Sequence, residues 1–356
     1  MIWTHHHVLL DGWSAANLLS EVVRTYGGEH FGPARGQYRE HIAWLLRRDA
    51  ELDEAFWRGR LSGLSEPTLL RSRLNEAADV LGAHRKLSRV WSAEATRGLE
   101  EVCRRERVTL NTLVQGAWVL LLQRYTSQRG VAFGATVSGR RAEVAGSESH
   151  LGLFINTVPV IAGPVSSERV GAWLRALQSE NVLLREHEHT PLSEIQRWSG
   201  RAGQELFDTL LVFENYPVDR VLRQRSGGEL RFGDVSSVDE TNFALTLEVN
   251  VDEELRLSYV YTEGRLSSAE VGRIAEQVDE LLKWLAHNGE LAVGQASLLS
   301  ETTRSEILSR SRGADNEVRL EPLHATFERQ VARAPERLAL EFGGVRLTYG
   351  ELNARA

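Results

Sequence analysis

Thr4-His5-His6-His7-Val8-Leu9-Leu10-Asp11-Gly12-Trp13-Ser14 is the stretch on which the fold of this chain turns. An imidazole with an aspartate four residues on, placed after a strand, can act near neutral pH as a base, a proton shuttle or an electrostatic stabiliser. The Asp11 carboxylate can orient the ring, or pair with a distant arginine and hold the loop. Gly12 permits a tight backbone, and a helix that follows turns its N-terminal amides toward the loop. Three plainer readings compete. Adjacent histidines with one aspartate can bind metal, although His6 and His7 point to opposite faces of a strand. Three histidines are also short for a purification tag. The last is a structural loop with solvated rings.

Outward from this stretch, helix and strand signals alternate. Met1 to Thr4 reads as a strand end. Ser14 reads as the cap of a helix carrying Leu18, Leu19, Val22 and Val23 at helical spacing. A glycine-rich loop from Gly27 to Gly36 leads to a second predicted helix, Tyr38 to Arg60, with Ile42, Leu45, Leu46, Leu52, Phe56 and Trp57 as its apolar face. Ser62 to Ala83 has weak periodicity and reads as a connection. Ser92 starts a helix to Arg107, and Thr109 caps another from Leu110 to Tyr125. Val131 to Val137 and Leu151 to Ile161 are strand-like, and Ser167 to Glu188 is an amphipathic helix. Thr209 to Phe213, Phe243 to Val249 and Leu255 to Tyr261 are strands, the last two forming a hairpin. A helix over Ser267 to His287 ends at Asn288-Gly289. Ser300 to Arg319 has linker composition. A new unit begins at Glu321, with strands at Leu338 to Phe342 and Val345 to Thr348. The alternation predicts α/β layers.

Composition narrows the classes. The 356 residues, 42% hydrophobic and 26% charged, suffice for about two domains. A net charge of −7 gives no footprint for nucleic acid. The single cysteine, Cys103, excludes an intrachain disulfide framework and a cysteine-based zinc site. Met1 is followed by neither a basic region nor an apolar core typical of a leader, and Leu113 to Leu122 is too short to span a bilayer. A soluble cytoplasmic chain without membrane contact is the expectation.

His6-His7-Val8-Leu9-Leu10-Asp11-Gly12 resembles the HHxxxDG signature of condensation domains from non-ribosomal peptide synthetases, a branch of the chloramphenicol-acetyltransferase-like acyltransferases. Further segments resemble the family's motifs in order: Tyr38 to Trp44, Ala135-Thr136-Val137-Ser138-Gly139-Arg140, Gly152-Leu153-Phe154-Ile155-Asn156-Thr157, His189-Thr190-Pro191-Leu192, and Leu206-Phe207-Asp208 to Asn215-Tyr216-Pro217. Arg141 departs from the proline common at its place. Leu347-Thr348-Tyr349-Gly350-Glu351-Leu352-Asn353 resembles the first core motif of adenylation (AMP-binding) domains. The family's motifs S-x-A-Q-x-R-x-W and R-H-x-x-L-R are not found upstream of His6. The resemblance therefore implies a two-lobed α/β acyltransferase fold of the chloramphenicol-acetyltransferase type with its first lobe incomplete. Residues 1–83 are expected to be a remnant of the first lobe, 84–299 the second lobe, 300–320 a linker, and 321–356 the start of an adenylation domain.

The same resemblance implies peptide-bond formation between aminoacyl and peptidyl thioesters. Substrates would arrive on 4'-phosphopantetheine arms of upstream and downstream peptidyl carrier domains, with an adenylation domain in cis that alone uses ATP. It implies no directly bound cofactor and no metal. His7 would face the reacting amine and His6 would pack inward or bond backbone. Gly12 would offer an amide near the intermediate's oxygen, Asp11 would pair with Arg140, and Asn156 and Trp13 would line the substrate tunnel. A turn role for Asn156 stands beside that reading. The rival readings are a coenzyme A acyltransferase, an epimerisation domain, a non-catalytic carrier-binding module of the same fold, and a truncated, inactive remnant.

Overall fold

A computed structural model describes residues 3–32, 36–74, 82–140, 143–144, 146–201, 203–214, 241–311 and 322–356. The chain forms two compact units, Met1–Ser300 and Glu301–Ala356. Arg141 and the Asn215-Tyr216-Pro217 segment lie outside the described residues.

The first unit opens with three helices, α1 (Gly12–Tyr26), α2 (Tyr38–Leu45) and α3 (Ala50–Leu61). Trp3 and Thr4 belong to no strand; Trp3 stacks on His5 instead. Asp11, not Ser14, is the cap of α1, its side chain accepting from the Ser14 amide. The single helix expected over Tyr38 to Arg60 is two. Asp49 starts α3 by accepting from the amides of Glu51 and Leu52, and a cap of this kind needs a non-helical backbone. Part of the expected apolar face points outward, with Leu46 83% and Leu52 64% exposed, while Trp57 of the same face is fully buried. The buried positions of α3 are Asp53, Trp57 and Leu61, spaced i, i+4, i+8 along one face.

Beyond Thr68, which bridges Phe207, comes a six-stranded sheet: β1 (His84–Trp91), β2 (Val131–Val137), β3 (Asn156–Ala162), β4 (Thr209–Glu214), β5 (Leu245–Val251) and β6 (Leu255–Thr262). The spatial order is β1-β6-β5-β4-β2-β3. The pairs β1·β6, β5·β6 and β2·β3 are antiparallel, and β2·β4 and β4·β5 are parallel. Two helices separate β1 from β2: α4 (Ala93–Glu106) and α5 (Leu110–Thr126). Two more, α6 (Val170–Glu186) and α7 (Leu192–Trp198), lie on the connection from β3 to β4, which passes over the intervening β2. A last helix, α8 (Ser268–His287), follows β6 behind a capping box of Ser267 and Glu270.

Burial on every side explains why Leu113 to Leu122 is so apolar: all ten residues are buried in α5. That helix, α8 and the sheet share one hydrophobic core, which also takes in Trp57 and Leu61 of α3 and Leu64 and Leu70 of the connection. The connection is fixed by Asp208, whose carboxylate accepts from the amides of Leu70 and Arg71 at 2.8 and 2.9 Å. Among the described residues no helix is long and apolar enough to cross a membrane.

The second unit contains α9 (Glu301–Ser311), α10 (Leu323–Arg333), the hairpin β7 (Leu338–Phe342) and β8 (Val345–Thr348), and α11 (Tyr349–Arg355). Part of the stretch read as linker-like is thus helical, and α9 has no buried residue. The Thr348-Tyr349-Gly350-Glu351 motif has a local cause. The Thr348 hydroxyl accepts from the Glu351 amide and the Glu351 carboxylate from the Thr348 amide, a capping box that starts α11.

Candidate functional site

Asp11 and Arg140 meet in the interior. Their side chains are 0% and 5% exposed, and Nη2 of Arg140 lies 3.0 Å from Oδ1 and 3.4 Å from Oδ2. Burying two charges is costly unless their remaining hydrogen-bond capacity is used, and here most of it is. Asp11 also accepts from the Ser14 amide (2.7 Å) and the Phe154 amide (3.0 Å). Arg140 donates to the His150 carbonyl at 2.9 Å, to the Ser147 carbonyl and to Ser14 Oγ at 2.7 Å, and its guanidinium lies over the Phe154 ring. Ser14 Oγ itself donates to the Gly152 carbonyl (2.7 Å) and accepts from the Gly152 amide (3.0 Å), which uses its one hydrogen and both lone pairs. Gly139 makes the approach possible: at φ +61°, a Cβ there would lie 1.8 Å from the Phe154 carbonyl oxygen.

This latch joins the start of α1 to the end of β2 and the 146–154 loop, and the histidines ride on it. His6 and Leu9 close a turn, with the Leu9 amide donating to the His6 carbonyl at 3.0 Å. His6 is exposed, not packed inward, and its Nδ1 accepts from the Val8 amide. His7 is exposed at the head of the turn, beside exposed Val8 and Leu9. Gly12 is the first residue of α1 and is not among the positive-φ residues, so the tight left-handed turn its type allows is not used. The Trp13 indole donates to the Glu148 carbonyl at 2.9 Å. Asn156 is occupied by backbone: its Nδ2 donates to the carbonyls of Glu188 (2.8 Å) and Thr190 (2.7 Å), and its Oδ1 accepts from the Thr157 amide. It ties the β3 start to the turn between α6 and α7.

Behind the latch lies an aromatic and histidine cluster. Tyr38 donates to the Leu153 carbonyl at 2.6 Å and meets Phe154 edge-on. His41 packs between Phe154 and Trp44, and burial together with the nearby Arg140 holds its pKa below the usual histidine value. Burial and the Asp11 carboxylate push the Tyr38 phenol up. Further along, Asp53 meets two imidazoles, His187 and His189. Sequence reading singled out neither Asp53 nor Ser14 as part of a site. The available signal for Asp53 was a carboxylate at i−4 from the helix's one tryptophan, since a charge on that face needs a partner. A separate cavity of about 750 Å³, lined by Arg89, Trp91, Leu99, Asp279 and Lys283 among others, includes none of these residues.

The Condensation domain family model matches residues 1–308, and the chain belongs to that family. A linear gramicidin synthase of Brevibacillus parabrevis is 38% identical over 367 residues, which cover 100% of this chain and 7% of that protein. Chondramide synthase cmdD of Chondromyces crocatus is 36% identical across 96% of this chain and 9% of its own length. The chain thus spans less than a tenth of these relatives. In fold it resembles a four-domain nonribosomal peptide synthetase bound to AMP and glycine (TM-score 0.71, 17% identity, 98% of this chain and 28% of that one). It also resembles the first condensation domain of the calcium-dependent antibiotic synthetase (TM-score 0.63, 19% identity, 83% and 66%).

Proposed function

We propose that this chain forms peptide bonds between carrier-bound thioesters, with His7 as the group that handles the proton. The observation that carries the reading is an exposed imidazole on a short turn whose base is fixed by the buried Asp11–Arg140 latch. The amine of an acceptor aminoacyl thioester attacks the donor's thioester carbonyl. A carbon–nitrogen bond forms, the carbon–sulfur bond breaks, and the amine's proton ends on the departing thiol. A thioester is already activated, so holding both reactants in line supplies much of the acceleration. His7 takes the proton from the attacking amine, or carries it as imidazolium while the tetrahedral oxyanion persists. The Gly12 amide, at the N-terminal end of α1, is the donor we assign to that oxyanion. Asp11 and Arg140 do not touch substrate and hold the turn in place. Trp13 and Asn156 act as walls that fix the 146–154 loop and the α6–α7 turn.

Both substrates come on 4'-phosphopantetheine arms of upstream and downstream peptidyl carrier domains, within a cytoplasmic assembly line. Residues 1–83 form the first-lobe segment, 84–299 the second lobe and 300–320 the linker; 321–356 begin an adenylation domain, the one part that would use ATP. Helix α3 and the connection after it, through Leu64 and Leu70, are the pieces of the first segment built into the core of the second.

The test mixes donor-loaded and acceptor-loaded carriers with the chain and measures the dipeptidyl thioester. His7→Ala is expected to slow formation by about 10²- to 10⁴-fold and to leave the melting temperature unchanged, because the ring is exposed. Wild-type rates in His7→Ala, or no dipeptidyl thioester with the wild-type chain, overturn the proposal.

A further inference from the structure

A second buried carboxylate, distinct from the one in the latch, holds two imidazoles. The Asp53 side chain is 7% exposed, with Oδ1 2.6 Å from His187 Nδ1 and Oδ2 2.8 Å from His189 Nε2. A carboxylate only accepts, so each ring must present an N–H to it. In the neutral rings this fixes opposite tautomers, Nδ1–H on His187 and Nε2–H on His189. Arg48 Nε also lies 3.3 Å from His189 Nε2. One ring nitrogen cannot both donate to Asp53 and accept from Arg48, and the shorter contact to the carboxylate takes the hydrogen. Arg48 then adds positive potential beside Asp53.

The same turn is gripped a second time. Asn156 binds the carbonyls of Glu188 and Thr190 from the β3 side, while Asp53 binds the side chains of His187 and His189 from α3. Phe56 stacks on His187 with centroids 3.9 Å apart and planes 14° off parallel. His189 meets Trp44 edge-on at 5.3 Å, Trp44 stacks on His41 at 5.9 Å, and His41 lies 4.7 Å from Phe154. The Phe154 amide donates to Asp11. Packed side chains therefore run without interruption from Asp53 to the latch. A buried hydrogen-bonded cluster of this kind adds little net stability compared with apolar residues of the same shape. What a carboxylate supplies that an apolar residue lacks is direction, because it fixes which nitrogen of each ring carries hydrogen.

We propose that Asp53 is a positioning residue for the peptide-bond-forming site: it locks the 187–190 turn through opposite tautomers of His187 and His189, and so holds the aromatic face of α2 against Phe154 and the Asp11 loop. The tautomer half stands on geometry alone, and the kinetic half rests on the function proposed above.

The experiment uses the 356-residue chain labelled with ¹⁵N-histidine, its rings assigned through His187→Gln and His189→Gln, and long-range ¹H–¹⁵N NMR. The expected wild-type result is Nδ1–H on His187 and Nε2–H on His189. Asp53→Asn has one acceptor oxygen, so one of the two rings changes tautomer. In the carrier assay the same variant lowers kcat by about tenfold or more with the acceptor KM within about twofold, since misplacement by about 1 Å costs up to about 10²-fold. Nε2–H on both wild-type rings overturns the clamp, and this reading needs no variant to fold. A tautomer change in Asp53→Asn with unchanged kcat overturns the positioning role. No peptide-bond formation by the wild-type chain overturns the function proposed above, while the tautomers still decide the clamp.

Discussion

Arg140→Ala removes a guanidinium that serves four partners, and the cost follows from what is left behind. Asp11 keeps two amide donors, Ser14 and Phe154, so its carboxylate is not abandoned. It loses its counter-charge in a site where its side chain is 0% exposed. The carbonyls of Ser147 and His150 lose a donor, as does Ser14 Oγ. Breaking one side of a buried pair costs about 3–5 kcal/mol, and the retained amide bonds place Arg140→Ala toward the lower end. Asp11→Ala loses the pair and also the cap of α1, worth about 1 kcal/mol more. Because both variants remove the same pair, the double variant should fall short of their sum by about 0.5–3 kcal/mol. Arg140→Lys should not restore stability, since a single ammonium cannot reach Asp11, Ser14 and two carbonyls in the guanidinium's fork geometry. The assay is urea unfolding followed by tryptophan fluorescence on the wild type and all four variants. Additivity within about 0.5 kcal/mol, or recovery by lysine, would refute the latch as the element that holds the turn.

His41 gives the first unit an acid-sensitive stability. Its folded pKa lies below the ordinary value of 6.5 because of burial and, next, Arg140. The unfolded chain therefore takes up this proton at a higher pH than the folded chain, and the contribution present above pH 6.5 is lost as pH falls. Urea midpoints of the wild type and His41→Gln, compared between about pH 7.5 and 5.5, should show the flatter slope in the variant. Cys103 is buried and its thiol is pushed up to about 11. A thiol reagent at about pH 8 should label it only after denaturant unfolds the chain, and native labelling at the rate of a free thiol would contradict the packing of α4.

Sequence alone served best where one local force dominates. The continuous burial of α5, the Val131–Val137 strand and the caps at Ser92, Thr109 and Ser267 follow from periodicity and side-chain chemistry within a few residues. The strand β1 was missed because it lies at the sheet edge. Its residues His84, Arg85, Lys86 and Arg89 are all exposed, and charges on an edge strand blunt further pairing while erasing the alternation that marks a strand. The break between α2 and α3 was hidden because Asp49 reads equally as a helix-face residue and as a cap. Leu151 to Ile155 read as strand yet spends its backbone on the latch, with the Gly152 carbonyl and the Phe154 amide bound to α1 and its cap.

The spacing from His6 and His7 to Asp11 has a structural cause that composition does not reveal. His6 to Leu9 is a single turn, closed by the Leu9 amide on the His6 carbonyl. Two residues beyond it, Asp11 has to be the helix cap and the partner of Arg140 at once: Oδ1 faces the Ser14 amide and the guanidinium, and Oδ2 faces the Phe154 amide. One residue added between His7 and Asp11 would move the imidazole relative to a cap that cannot shift without unburying its charge. One residue added between Asp11 and Ser14 would break the cap and withdraw Ser14 Oγ from Gly152 and Arg140 together. The fixed distance from histidine to aspartate is thus the length of one turn joined to one cap. The pairing with Arg140, far along the chain, was legible only through the order of motifs, because no local periodicity connects the start of α1 to the end of β2.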